Sequence, residues 1–357
     1  MINKKWLLIS IIGGLLMVSC AGSANSAAAG SSDSTNSEKS PAAAVEPVKL
    51  RIAQQFGLGY AALTIADEMN LFEKYIPGLE VEWLTLGSGG AINEAFIAGE
   101  IDVAVMGIPP FLIGWDKGIP WKVASGMCVM PLSLQTYKPE ITSLKDFGPN
   151  DKIAYPAPGS IQHILLSMAA EKQLGNANAL DGIGVAMAHP DAAAALINKK
   201  DITGHFTSPP YNFQELDTDG ITQVVSGEEA FGTEFTFLVA VASQQLYEEN
   251  PQAYAAFVMG IAEASDFINQ NPEEAAKILA ESFKLDEATT LKYITWPGMD
   301  YVTTPLGLMG FSDFMLDAGY ISKVPADMSQ IAFPNVVASV GELQGKAGAL
   351  EVLQIRP

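Results

Sequence analysis

From Val48 onward the sequence alternates between short strand-type runs and segments with helical spacing, and this alternation occurs in two successive rounds. The first round contains the strand-type runs VKLRIAQ, LEVEWLTL and IDVAVMG, each followed by a helical segment or a helix start. Such alternation is typical of a doubly wound α/β fold with mostly parallel sheets. The chain of 357 residues is longer than one such unit requires, so the two rounds predict two lobes.

The second round covers Lys138–Gly232 and contains the runs KIAYP, GIGVAMA, ITGHFT and GITQVVS. After one more strand-type run, TEFTFLVAVAS, the sequence becomes strongly helical. We therefore expect the last helices to pack on the first lobe, so that the chain crosses between lobes twice, near Tyr137 and near Phe235. Lobe 1 is predicted to comprise residues 47–137 and 233–357, and lobe 2 is predicted to comprise residues 138–232.

The N-terminal segment has the pattern of an export signal. Two lysines precede the apolar run Trp6–Val18, which is too short to span a membrane comfortably, and Cys20 follows. The pattern resembles a bacterial lipoprotein signal, in which the cysteine is lipidated; an ordinary signal peptide is the alternative. Residues 1–20 are thus predicted to be a lipoprotein signal peptide, and residues 21–46, rich in Ala, Ser and Gly, a flexible tether. The body is expected to be exported and held by lipid at the periplasmic or outer face of a bacterial membrane.

The composition excludes several classes of partner and cofactor. The formal net charge of −20 repels nucleic acid, so no nucleic-acid partner is expected. The three histidines, His163, His189 and His205, lack the spacing of metal ligands, and neither a metal nor a cofactor is predicted. Cys128 lies in an apolar run and is predicted to be a buried structural residue.

Two proline corners, GIPPF and TSPPY, end strand-type runs about 100 residues apart. In doubly wound sheets, ligands bind at the carboxyl ends of strands beside helix N-termini, where free backbone N–H groups attract hydrogen-bond acceptors. Each corner is therefore predicted to end a strand of its own lobe at a shared cleft, so that the corners face each other across a ligand. Phe111 and Tyr211, the aromatic residues after the prolines, are predicted to line the mouth of this cleft.

Several local patterns resemble one known group of proteins. The stretches GGAINEAFIAGEIDVAVMGIPP, SLKDFGPNDKIAYPAPGS and ITGHFTSPPYNFQEL are similar, in this order, to stretches of the nitrate, sulfonate and taurine type of ABC-transporter substrate-binding proteins. That group also includes binders of pyrimidine compounds that are thiamine precursors. The resemblance runs from about Val48 to Ala338. It implies an α/β, two-lobed type II periplasmic-binding-protein fold with doubly wound sheets and two interdomain crossovers.

The resemblance also implies a function and a set of partners. The protein would be the extracytoplasmic solute-binding component of an ABC import system, not an enzyme. It would capture a small molecule between its lobes, as a monomer, and deliver it to the permease transmembrane subunits and their ATPase. Two alternatives stay open. One is a pyrimidine-precursor synthase-like enzyme on the same fold, although the cysteine-rich motif of those enzymes is absent around Cys128. The other is a ligand-sensing subunit that docks on a receptor.

Candidate ligand contacts are the residues at predicted strand ends and helix starts, and a purely structural role as cap, turn or core residue is the alternative for each. His163 is included because it lies about one turn into a predicted helix, and His205 because its strand leads to the second corner. The predicted ligand contacts are Gln55, Phe56, Tyr60, Ser88, Gly89, Gly107, Ile108, Pro109, Gly159, Ser160, His163, His205, Ser208, Pro209 and Tyr211.

The scarcity of arginine bears on the ligand. Arg51 and Arg356 are the only arginines and lie near the ends of the body, so a bidentate guanidinium clamp is not expected. Backbone N–H groups, hydroxyls and lysines could still hold a small oxyanion. The aromatic residues Phe56, Tyr60 and Tyr211 would suit a planar organic ligand equally well, and the sequence leaves both ligand classes open.

Overall fold

The structure is a computed structural model, and it describes residues 48–341. The predicted signal peptide with Cys20, the predicted tether and residues 342–357 lie outside the described residues. The described strands are β1 Lys49–Gln54, β2 Glu80–Thr85, β3 Val103–Gly107, β4 Trp121–Cys128, β5 Ser133–Thr136, β6 Ile153–Tyr155, β7 Gly184–Ala186, β8 Gly204–Thr207, β9 Thr222–Ser226 and β10 Leu238–Ser243. The described α-helices include α1 Ala61–Glu68, α2 Leu71–Tyr75, α3 Gly89–Ile97, α4 Ile108–Asp116, α5 Ile161–Leu174, α6 His189–Ile197, α7 Tyr211–Leu216, α8 Gly227–Phe231, α9 Gln244–Glu249, α10 Pro251–Gln270, α11 Pro272–Phe283, α12 Glu287–Ile294 and α13 Leu308–Asp317, and residues 334–341 are also helical.

The described strands form two sheets of five strands each, in the orders β2-β1-β3-β10-β4 and β7-β6-β8-β5-β9. In the first sheet, β1 pairs in parallel with β2 and β3, whereas β10 pairs antiparallel with β3 and β4. In the second sheet, β6 pairs in parallel with β7 and β8, whereas β5 pairs antiparallel with β8 and β9. The prediction of an α/β fold with two doubly wound sheets is confirmed, but both sheets are mixed, because half of the pairings in each are antiparallel.

The antiparallel strands β5 and β10 are the first strands after each change of sheet. A strand that enters a sheet from the junction runs away from the junction, so its neighbours, which run antiparallel to it, end toward the junction. The carboxyl ends of the parallel strands in both sheets therefore face the same junction, which is where ligands bind in such sheets.

The positions of the two sheet changes follow from the strand pairing. The first change occurs between Cys128 and Ser133, before the predicted position near Tyr137, because β5 pairs with β8 and β9 of the second sheet. The return occurs between Ser226 and Leu238, a segment that contains Phe235.

Several helices that leave this junction begin with residues that favour a helix N-terminus, namely capping serines and first-turn prolines. The Ser88 hydroxyl accepts a hydrogen bond from the Ala91 N–H (3.3 Å) at the start of α3. The Ser160 hydroxyl accepts one from the His163 N–H (3.3 Å) at the start of α5. Prolines occupy the first turn of α4 and of α6, where a backbone N–H has no partner within the helix. Helix N-termini therefore lie at the junction, as the strand-to-helix pattern predicts.

The helices after β10 pack on the first lobe. Helix α10 contacts α1, α2 and β4. Phe257 of α10 stacks on Phe72 of α2 with ring centroids 5.6 Å apart, and both side chains are fully buried. None of the helices within residues 48–341 combines the length and the apolar character that a membrane crossing requires.

The loops at the junction touch across the two lobes. The Leu58 N–H donates to the Pro209 carbonyl oxygen (2.9 Å). A Cβ atom on Gly107 would lie 3.0 Å from the Cβ of Ile161, and one on Gly159 would lie 2.6 Å from Cδ1 of Ile113. The segments at the strand ends and helix starts of the two lobes are therefore closely packed against each other.

Other contacts join the lobes around the junction. A salt bridge links Lys292 to Asp217 (2.9 Å), and the hydroxyls of Ser167 and Tyr320 are 2.8 Å apart. The Phe231 ring stacks on Phe311 with centroids 4.6 Å apart. The exposed salt bridge contributes little to stability, at most about 1 kcal/mol, so the aromatic contact is the stronger of these links.

We expect Phe257→Ala to lower the free energy of unfolding by about 3–5 kcal/mol, because it removes a fully buried ring from the contact between α10 and α2. Met259→Ala, on the same helix with its side chain 43% exposed, is the matched control and should change it by less than about 1 kcal/mol. Urea denaturation followed by circular dichroism measures both. Equal effects of the two substitutions would contradict the packing described for α10.

Candidate functional site

Two neighbouring spaces lie at the junction between the lobes. One is an open cleft of about 830 Å³, lined from the first lobe by the segment after β1 and from the second by the starts of α6 and α7. The other is a small cavity of about 20 Å³ deeper between the lobes. The small cavity is lined by Gln55, Phe56, Tyr60, Gly89, Gly107, Pro110, Pro156, Ser160, Ile161, Gln162, His189, Phe237 and Leu238.

The structure brings about half of the predicted contacts together around these spaces. Three of them, from the segment after β1, line both the cleft and the cavity, and one lines the cleft alone. Residues from both lobes contribute. The predicted contacts placed here are Gln55, Phe56 and Tyr60 at both spaces, Tyr211 at the cleft, and Gly89, Gly107 and Ser160 at the small cavity.

The corner after β3 differs from the prediction in detail. Pro110, not Ile108 or Pro109, lines the small cavity. Phe111 is fully buried and packs against Trp121 (ring centroids 5.9 Å apart), so the prediction that it lines the mouth is wrong. The reason is that α4 begins directly at the end of β3, which turns residues on its inner face into the core of the first lobe.

The corner after β8 contacts the first lobe through its backbone. Pro209 uses its carbonyl oxygen to accept the Leu58 N–H, and neither Ser208 nor Pro209 lines the two spaces described above. The Ser208 hydroxyl is buried and has no hydrogen-bond partner within residues 48–341. Tyr211 follows the corner and lines the cleft, where its ring stacks on His189 with centroids 5.7 Å apart.

Two predicted contacts at helix starts serve the local backbone. Ser88 caps α3 as described above. Gly159, with φ of +78°, donates its N–H to Nδ1 of His163 (3.0 Å). Since this nitrogen accepts a hydrogen bond, the His163 proton lies on Nε2, which faces Asp181 at 3.3 Å. His163 is 5% exposed, and its burial lowers its pKa in spite of the nearby carboxylate.

Several lining residues were not predicted. His189 is the most informative of them, because it is the first residue of α6 and lies soon after β7, in a position comparable to the two proline corners. The dipeptide His-Pro after a strand was a usable signal for it. The lining residues of the small cavity that the sequence reasoning missed are Pro110, Pro156, Ile161, Gln162, His189, Phe237 and Leu238.

A chain of hydrogen bonds leads from the small cavity into the second lobe. Gln162 Nε2 lies 3.0 Å from His189 Nε2, and His189 Nδ1 lies 3.0 Å from His205 Nε2. His205 Nδ1 lies 2.5 Å from Glu215 Oε1. His205 was predicted to contact the ligand, but it does not line the cavity. It bonds instead to His189, which does line it.

The small cavity has no charged lining residue. Burial raises the pKa of Glu215 to about 9 and lowers the pKa of His205 to about 3, and it also lowers the pKa of His189. Burial likewise holds the Tyr60 hydroxyl protonated by raising its pKa. The lining of the cavity consists of amides, hydroxyls, one imidazole and apolar groups, so it offers hydrogen bonds instead of ion pairs. No group of three or more His, Cys, Asp or Glu residues within 48–341 could hold a metal ion.

Solved structures share this fold. The alkanesulfonate-binding protein SsuA from Xanthomonas axonopodis pv. citri, bound to MOPS, is 20% identical, with a TM-score of 0.65 over 78% of this chain and 96% of that one. The periplasmic nitrate-binding protein NrtA from Synechocystis PCC 6803 is 17% identical, with a TM-score of 0.62 over 80% of this chain and 84% of that one. These likenesses confirm the predicted two-lobed periplasmic-binding-protein fold.

Sequence comparison gives the family. A protein of Brucella abortus (strain 2308), whose name marks it as a candidate binding protein, is 25% identical over 245 residues, 66% of this chain and 71% of that one. The NMT1-like family matches residues 43–282, which is more than half of the chain. The chain described here therefore belongs to the NMT1-like family.

Proposed function

We propose that this protein is the extracytoplasmic solute-binding component of an ABC import system. It captures a small molecule between its two lobes and delivers it to the permease transmembrane subunits and their ATPase. The observation that carries this proposal is the open cleft of about 830 Å³, which takes lining residues from both lobes and shares Gln55, Phe56 and Tyr60 with the adjacent small cavity. The NMT1-like family and the structural likeness to proteins named for alkanesulfonate and nitrate binding support it.

The proposal includes export and a lipid anchor at Cys20. The lipoprotein-like pattern of residues 1–20 supports the anchor, and the tether over residues 21–46 would let the body reach a permease in the same membrane. The body acts as a monomer in this proposal, because the cavity is complete within one chain.

The proposed role is binding without turnover. Cys128 is fully buried, its thiol donates to the Gly59 carbonyl oxygen (3.8 Å), and burial raises its pKa far above the range of a reactive thiol. The polar residues around the small cavity are amides, hydroxyls and one imidazole, which suit hydrogen bonding to a solute. Capture would use a hinge motion about the two segments that join the sheets.

Mass spectrometry of small molecules released by denaturing freshly purified protein tests the proposal. We expect one retained solute, and the same solute should raise the melting temperature when added back, because it binds the folded state only. A protein that retains no solute and gains no stability from a broad metabolite pool would rule out solute capture. Conversion of the added solute into a product would favour an enzyme.

Phe56→Ala should weaken binding of the retained solute about tenfold or more, because Phe56 lines both spaces and is 40% exposed. Loss of one aromatic contact of about 1.5–3 kcal/mol has this effect on a dissociation constant. Leu316→Ala is the matched control: Leu316 lies on α13 and is 38% exposed, and its loss should leave affinity unchanged. Isothermal titration calorimetry compares the two variants, and an equal effect would remove Phe56 from the site.

Gly57→Ala should favour separation of the lobes. Gly57 has φ of +120°, and a Cβ atom there would lie 2.9 Å from the Pro209 carbonyl oxygen, the group that Leu58 bonds across the junction. Gly78→Ala is the control. Gly78 has φ of +85° and nothing within 4 Å of the added Cβ, so this substitution introduces backbone strain without a steric clash. Small-angle X-ray scattering should show a larger radius of gyration for Gly57→Ala only. An unchanged radius would mean that this contact does not hold the lobes together.

A further inference from the structure

The charged residues that line the open cleft are mostly acidic. Asp67 and Glu68 lie at the end of α1 in the first lobe, and Asp191 lies in the first turn of α6 in the second lobe. Lys284, which follows α11, is the only basic residue among the described residues that line this cleft. All four side chains are exposed, and exposed carboxylates and amines are ionised at neutral pH. The lining therefore carries negative charge from both lobes.

The carboxylates of the cleft are available to a ligand. Within residues 48–341, neither the Glu68 nor the Asp191 carboxylate makes a hydrogen bond or an ion pair. Asp67 accepts a hydrogen bond from the Trp83 indole N–H (2.9 Å) through Oδ1 alone. Asp67 and Glu68 also lie at the C-terminal end of α1, where the helix dipole adds negative potential. A cation in the cleft would thus find unpaired carboxylates on each lobe.

The arginine that could clamp an anion lies elsewhere. Arg51, the only arginine within residues 48–341, is in the first half of β1, whereas the other end of that strand reaches the cleft. Its guanidinium pairs with Asp102 (Nη2–Oδ1, 2.6 Å). A bidentate guanidinium clamp for an oxyanion is therefore absent from the described part of the cleft.

Aromatic rings form much of the remaining lining. The face of an aromatic ring carries negative partial charge, so it attracts a cation and disfavours an anion. Rings from both lobes take part, and one of them, Phe56, is 40% exposed. The aromatic residues that line the cleft are Phe56, Tyr60, Trp83, Tyr211 and Phe283.

A buried hydroxyl is an independent sign of a ligand. Tyr60 is 4% exposed and lines both the cleft and the small cavity. Its hydroxyl has no hydrogen-bond partner within residues 48–341, although buried hydroxyls are ordinarily paired. Burial raises the pKa of Tyr60, so the group stays an uncharged hydroxyl that can accept a hydrogen bond from an N–H group. The hydroxyl marks a place for a polar ligand atom, and the charges of the lining decide its kind.

We propose that the open cleft binds an organic cation, a protonated amine on an apolar or aromatic body. The carboxylates of both lobes hold the ammonium group, and the aromatic rings contact the body. A small oxyanion, the other ligand class that the sequence left open, would meet like charges here. The inference rests on the proposed function, since it names the class of solute. Because Glu68 and Asp191 lie on different lobes, a cation between them also favours closure of the lobes.

Three probes with the same ring test the charge of the solute. Benzylammonium, benzyl alcohol and benzenesulfonate carry a positive, a neutral and a negative group. We expect benzylammonium to bind about tenfold more tightly than the other two at low salt, because carboxylates and aromatic faces both contribute. Raising the ionic strength from about 0.02 M to about 0.5 M should remove most of this preference. Protein-observed NMR titration measures the dissociation constants, and equal or tighter binding of benzenesulfonate would overturn the proposal.

Substitutions in the cleft locate the cation. Glu68→Gln and Asp191→Asn each remove one exposed carboxylate and should each weaken benzylammonium binding about two- to fivefold at low salt, while leaving that of benzyl alcohol unchanged. Lys284→Gln removes a like charge and should strengthen it. Glu228→Gln, an exposed carboxylate on α8 outside the cleft lining, is the control with the same change of net charge. Cleft variants that behave as this control does would place the ammonium group elsewhere and overturn the proposal.

The solute released from freshly purified protein separates this inference from the proposed function. A solute with a protonated amine would support both. An anionic solute would overturn the cation assignment and leave solute capture in place. If benzylammonium binds through Glu68 and Asp191 but the protein retains no solute and gains no stability from a metabolite pool, the cation site stands and the proposed function falls.

Discussion

The direction of two strands is the constraint on which the site depends. Because β5 and β10 enter their sheets from the junction, they run opposite to their neighbours, and the parallel strands of both sheets end toward that junction. Helix N-termini follow those strand ends in both lobes, so unpaired backbone donors gather between them. The contacts of Gly107 with Ile161 and of Leu58 with Pro209 are consequences of this arrangement.

The protein is strongly acidic, and yet the lining of its small cavity carries no charge. Asp, Glu, Lys and Arg are absent from this lining, and burial lowers the pKa of its one histidine, His189, which favours the neutral imidazole. A solute in such a site is held by directed hydrogen bonds whose strength depends on the low local polarity. Specificity at this depth then comes from which atoms donate and which accept.

The sequence predicts the sheets and helix starts well, because strand-to-helix alternation and capping serines are local signals. Gly107, Ser160 and Tyr211 were selected this way, since each lies where a predicted strand ends or a helix begins, and they line the small cavity or the cleft. Their contact with a ligand stays a prediction. Phe111 was misplaced because helical phase decides which side of α4 faces the core, and a shift of one residue rotates a side chain by about 100° around the helix axis.

The supporting residues of the site were beyond local reasoning. His205 was selected for its strand, but its partner Glu215 lies on the next helix, and His189 reaches it from another. Such contacts depend on how α6 and α7 pack against β8, and packing at that precision is not encoded in a spacing rule. The place of β5 in the second sheet was missed for a similar reason, since a short strand does not reveal its pairing partner.

The position of β10 also dictates the order in which the chain can fold. This strand lies between β3 and β4, but it follows β4 by more than one hundred residues, so those two strands have no direct pairing with each other. All strands of the second sheet, by contrast, lie within residues 133–226. During synthesis the inserted lobe can complete its sheet while the first still lacks a strand beside β3 and β4. The first lobe therefore completes its sheet last. Until then the edges of β3 and β4 that β10 will cover are unpaired and prone to aggregation.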